Sequence, residues 1–155
     1  MTADSNPVLG RLDALVGEWE MQMSIGEQTL SGGRATFEWI EDGAFLVYRG
    51  EAEETSELAA ELGENSPLPT VSIIGVDDAT EQFTMLYSDA RGVFRVYEMT
   101  LNSGEWELWR DAQGFAQRFT GTFSDDGDTI TGTWEKSEDG SDWEHDFDLS
   151  YVKVG

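Results

Sequence analysis

The chain has 155 residues, 32 of them acidic and 9 basic, for a formal charge of −23, and a field of that sign repels nucleic acid and anionic membrane surfaces. It has no cysteine, which excludes thiol chemistry, zinc–thiolate sites and a disulfide framework. Six Trp, eight Phe and four Tyr supply the core area that disordered acidic chains lack.

A length of this order suits one domain, expected over 1–155. The first residues, Met1 to Pro7, lack the basic and apolar regions of a signal peptide, and no apolar run approaches the ~20 residues of a membrane span. A cytoplasmic location is therefore expected.

Residues 6–16 read as a short helix, with Asn6 as its cap, Pro7 at its first position and Gly17 as its stop. Leu9, Leu12 and Val16 would share one face of it. Period-two alternation then dominates from 17 to 153. Trp19, Met21, Met23 and Ile25 alternate with Glu18, Glu20, Gln22 and Ser24. Ala35, Phe37 and Trp39 alternate with Arg34, Thr36 and Glu38. A tight turn at Glu41-Asp42-Gly43 leads into a strand at about 44–53.

Residues 54–69 differ, being acidic with Leu58 and Leu62 four apart. They read either as a solvated loop or as one or two helical turns across a barrel mouth. Further strands fall near 70–76, 82–88, 93–101, 105–111, 115–123, 129–136 and 143–153. Short turns at Asp89–Gly92, Asn102–Gly104, Asp125–Gly127 and Glu138–Gly140 join them. About ten strands in an unbroken up-and-down series predict an all-β, antiparallel barrel with a short N-terminal helix, because closure removes the exposed edges. The pattern leaves open whether the interior is filled or hollow.

The segment Leu12-Asp13-Ala14-Leu15-Val16-Gly17-Glu18-Trp19 resembles the opening of lipocalin-like (calycin) barrels, where a short helix closes one end and Gly-x-Trp starts the first strand. That resemblance implies that Lys153, on the last strand, stacks on Trp19. Three stretches, 37–48, 74–80 and 125–151, are similar to a bacterial family of lipocalin-like barrels of unknown function. The likeness runs over roughly 8–152 and brings no activity with it. A more distant similarity is to nitrobindin-like haem barrels, which share the ten strands and the Gly-x-Trp start. It implies His145, on the last strand, as an axial haem ligand acting on nitric oxide chemistry. The run Glu20-Met21-Gln22-Met23 departs from the alternating glycines of that group.

No catalytic constellation stands out. There is no Gly-x-Ser-x-Gly elbow, no phosphate-cradling glycine loop and no calcium-loop spacing, and His145 is the only histidine. The candidate ligand-binding residues are Arg95, Tyr97, Arg110, Trp106, Tyr87 and His145. Arg95 and Tyr97 sit two apart on one strand, and Arg110 shares a face of the next with Trp106 and Leu108. If those faces point inward, the arginines could hold a carboxylate or phosphate by charge-assisted hydrogen bonds. If they point outward, the arginines would pair with surface carboxylates. Alternation does not choose, because Phe94 and Val96 make the other face of that strand apolar too. Phe83, Met85 and Tyr87, and likewise Phe115, Phe119 and Phe123, are candidates for the barrel interior. His145 would share its face with Trp143, Phe147, Leu149 and Tyr151. The expected function is binding of a small apolar or anionic molecule, without catalysis or metal; haem is the alternative cofactor. Neither nucleic acid nor membrane is an expected partner, and an outer barrel face could support a homodimer.

Overall fold

A computed structural model of the chain describes residues 7–53, 56–66, 68–102 and 104–154. Ten antiparallel strands form a closed barrel. They are β1 (Gly17–Ile25), β2 (Gln28–Ile40), β3 (Phe45–Ala52), β4 (Thr70–Val76), β5 (Phe83–Asp89), β6 (Phe94–Asn102), β7 (Glu105–Arg110), β8 (Ala116–Phe123), β9 (Thr129–Ser137) and β10 (Glu144–Lys153). Each strand pairs with its neighbours in sequence, and β1 pairs with β10 to close the ring. The all-β barrel predicted from the alternation is thus the fold observed, and β2 starts earlier than the pattern indicated. Among the described residues no helix is long and apolar enough to cross a membrane.

The N-terminal helix is a 3-10 helix over Pro7–Ala14. The predicted cap, Asn6, lies outside the described residues. The tighter winding corrects the predicted apolar face. With three residues per turn, Leu9, Leu12 and Leu15 align and all three are buried, while Val16 packs only partly against the core. Gly17 is the first residue of β1 rather than a helix stop.

This helix closes one end of the barrel above Trp19, which is fully buried. The Trp19 indole N–H donates to the Leu15 carbonyl at 2.9 Å. Lys153 is the register partner of Trp19 across the closing pair, and its ammonium lies 5.5 Å from the ring centroid. The stack implied by the lipocalin likeness is present.

At the other end the acidic segment forms a short helix, α1 (Glu57–Leu62), followed by a 3-10 turn at Gly63–Asn65. Ser56 caps α1 by accepting from the Ala59 N–H at 3.0 Å. Leu58 is buried, and α1 packs on β2. Of the two readings open at this segment, helical turns across the barrel mouth is the one observed.

The face ambiguity on β6 has a structural source. Tyr97, Met99 and Leu101 point inward and are buried, whereas Phe94 and Val96 are 62% and 46% exposed. Val96 lies beside Leu86, and Leu86 beside Ile73, in the strand register. The barrel therefore carries an apolar strip on its outer wall, and composition alone could not tell that strip from the core.

Candidate functional site

The barrel is hollow at the end spanned by α1. A cavity of about 380 Å³ opens there, lined largely by apolar side chains. Volumes of this order suit small ligands. Met21 and Met23 of β1, Met85 of β5, Phe119 of β8 and Leu149 of β10 reach the wall because they occupy inward positions of their strands. Leu58, Leu62 and Leu68 cover it from the β3–β4 connection.

The polar groups cluster on the β5–β6–β8 side. Tyr97 is buried, and its hydroxyl donates to the Gln117 side-chain oxygen at 2.8 Å. Arg95 donates to the same oxygen at 3.3 Å, and its guanidinium lies 5.4 Å from the Phe115 ring centroid. Burial pushes the Tyr97 hydroxyl above the ordinary tyrosine range, against the opposing pull of Arg95 and Arg110. Tyr97 therefore remains a neutral donor at physiological pH.

Asp89, at the end of β5, holds the neighbouring turn. Its carboxylate accepts from the Tyr87 hydroxyl at 2.7 Å and from Arg91 at 2.7 Å. Burial raises its pKa, but the bonds from Arg91 and Tyr87 outweigh that and hold it at about 2. Tyr87 is pushed up, first by burial and then by that same carboxylate. Arg91 is thus neutralised. Asp146, the one carboxylate on the wall among the described residues, faces Lys136 at 3.8 Å. Arg95 is different, because it makes no ion pair with a described residue.

Four of the six candidates, Arg95, Tyr97, Tyr87 and Trp106, share the cavity wall. Arg110 does not belong to it. It follows Trp106 and Leu108 on the inward row of β7 and is half-buried, close enough for its charge to act on Tyr97. Phe119 and Phe115 both line the cavity as expected, Phe119 buried and Phe115 37% exposed.

His145 does not reach the cavity. A β-bulge between His145 and Phe147 places Asp146 as an extra residue opposite β9. The strand changes phase there, so Asp146 and Phe147 reach the wall while His145 stays on the outer surface. His145 bonds Asp148 at 3.0 Å, and both side chains are about half exposed. In a regular strand residues three apart face opposite ways, so this contact is itself a product of the bulge. Trp143 is also outside, with the Arg118 guanidinium 4.1 Å from its ring centroid. The shared face predicted for His145 and Phe147 is corrected accordingly.

Sequence reasoning did not single out Gln117, Arg91 or Tyr48 of the wall, nor the pairing of Tyr48 with Tyr151. Tyr48 of β3 and Tyr151 of β10 meet inside the barrel with their hydroxyl oxygens 2.8 Å apart. Their inward parity was legible, but the meeting of the two hydroxyls depends on barrel closure, which no local pattern encodes.

No protein-family model matches the chain, and no curated protein matches it by sequence. Solved structures match it in fold. A crystal structure of Rv2717c from M. tuberculosis superposes with a TM-score of 0.61 at 13% identity, covering 96% of this chain and 98% of that one. The S-type phycobiliprotein lyase CPES from Guillardia theta superposes with a TM-score of 0.60 at 13% identity, covering 96% and 93%. At such identity the likeness is one of fold, that of a lipocalin-like barrel.

Proposed function

We propose that the barrel binds a small, largely apolar molecule bearing an anionic group, and that Arg95 receives that group. One observation carries this reading. In a chain with 32 acidic residues, Arg95 stands on the wall of an apolar cavity without a carboxylate partner among the described residues. A half-buried guanidinium without a counter-ion is costly, and a ligand carboxylate offsets that cost by charge-assisted hydrogen bonds. The Tyr97 hydroxyl and Gln117 hold the guanidinium in place through a shared oxygen. The likeness in fold to a phycobiliprotein lyase supports a ligand-binding reading of the barrel.

Displacement of a fluorescent lipid probe by decanoate tests the reading. The native chain is expected to bind decanoate, and Arg95→Ala to weaken it roughly 10- to 100-fold, the range for a hydrogen bond to a charged group. Decanol, which has no charge, is expected to lose much less. Arg110→Ala is expected to have the smaller effect on decanoate, through its distant field alone. No displacement by decanoate from the native chain overturns the reading.

Haem held through His145 lacks comparable support, because the outward bond to Asp148 leaves that imidazole away from the cavity. Hemin titrations of the native chain and of His145→Ala are expected to give superimposable Soret spectra. A band present in the first and lost in the second would reverse that conclusion.

A further inference from the structure

The cavity floor leaves hydrogen-bond donors without strong acceptors among the described residues. Tyr151 packs edge-on against Trp19, which places it at the closed end, and Trp106 lies 6.0 Å from Tyr151 between ring centroids. Tyr48 stacks on Phe37 at 4.3 Å and meets the Tyr151 hydroxyl at 2.8 Å. Beyond that, the Tyr48 hydroxyl reaches among the described residues only the Met21 thioether, at 3.7 Å. A thioether sulfur is a weak acceptor. Whichever tyrosine donates to the other, one hydroxyl proton is left without a strong acceptor. The Trp106 indole N–H is buried with no partner among the described residues. Tyr48, Tyr151 and Trp106 all line the cavity.

Burial holds the Tyr48 hydroxyl at a pKa of about 12 and the Tyr151 hydroxyl well above the usual value, so both stay protonated. Tyr48 nevertheless keeps accessible surface, and that surface faces the cavity. The cationic wall residues, Arg91 and Arg95, belong to the β5–β6 side. In the strand register Tyr48 is separated from Arg95 by Ser72 and Tyr87. Three strand steps amount to ~14 Å along the wall. A second carboxylate at the floor would be buried without a cation, which is costly.

We propose that Tyr48, backed by Tyr151 and Trp106, forms a hydrogen-bond-donating subsite at the cavity floor for an uncharged carbonyl on the ligand's apolar part. The ligand class is then an oxygenated amphiphilic acid, such as a keto acid, rather than a plain saturated one. This rests on the reading of Arg95 as the anchor for the acid group.

The test compares decanoate with an oxodecanoate whose ketone adjoins the terminal methyl. In a floor without a partner the ketone would weaken binding, because its hydration is lost for nothing. With Tyr48 as donor, the native chain binds the keto acid roughly five- to tenfold tighter than decanoate. Tyr48→Phe abolishes that preference. On the native chain alone, infrared spectroscopy of the bound, carbon-13-labelled ketone shows a carbonyl band below its frequency in hexane, as hydrogen bonding requires. Decanoate binding as tightly as the keto acid, a preference that survives Tyr48→Phe, or a band at the hexane frequency overturns this subsite and leaves the Arg95 reading intact. Binding of neither acid overturns both.

Discussion

Trp19→Ala is expected to lower the free energy of unfolding by about 3–5 kcal/mol, the usual cost of truncating a large buried aromatic. The site gives little scope for collapse. Trp19 is fully buried beneath the 3-10 helix, and its neighbours are held by a closed ring of strands. The substitution also leaves the Leu15 carbonyl without its indole donor and Lys153 without the ring beneath it. For a domain of this size each kcal/mol is worth roughly 2–4 °C in Tm. Urea denaturation should show a lower midpoint at an unchanged slope. Trp19→Phe keeps most of the packing and should cost much less. Equal losses for the two variants would mean that the indole bond, not the packing, dominates the floor.

The second large effect is expected at Gly132→Ala, at about 2–3 kcal/mol. Gly132 on β9 faces inward beneath Phe119 of β8, and a Cβ there would collide with that buried ring. It would also stand 2.8 Å from the Leu149 carbonyl oxygen, which belongs to the backbone of the paired strand β10. The ring could turn, but the backbone could not move without opening the ladder. Its neighbour in the register, Gly121, supplies the contrast. A Cβ at Gly121 meets only side-chain atoms, at 3.0 Å and 3.1 Å, and these can shift by the few tenths of an ångström required. Gly121→Ala should therefore cost clearly less in the same denaturation experiment. The opposite order would refute the idea that the backbone contact decides.

Much of the fold was legible in the sequence because its signals are local. The alternation of Trp19 and Met21 with Glu18 and Glu20 marks β1, and each turn cluster marks a strand end. The Gly-x-Trp start and Lys153 made the floor legible through a known barrel type. The site was legible only in part. Arg95 and Tyr97 were singled out, but which way they faced was not, since the apolar outer strip at Phe94 and Val96 mimics a core. The Tyr48–Tyr151 contact joins residues 103 apart in sequence, beyond any periodicity. His145 was misplaced because an extra residue in a strand leaves no compositional trace, yet it reverses every assignment on one side of it.

That extra residue makes β10 two ribbons in opposite phase joined end to end. Substitution along such a strand changes a side chain but leaves its address alone. Deletion of Asp146 would remove the extra residue and leave both flanking ribbons where they are. Phe147 would follow His145 directly, with His145 still opposite Glu135 on the outer surface, while the cavity wall would lose its carboxylate. The presence of a carboxylate on the wall at that point is therefore set by chain length as well as by residue identity. A single codon lost there removes a charge from the interior with no substitution anywhere in the chain.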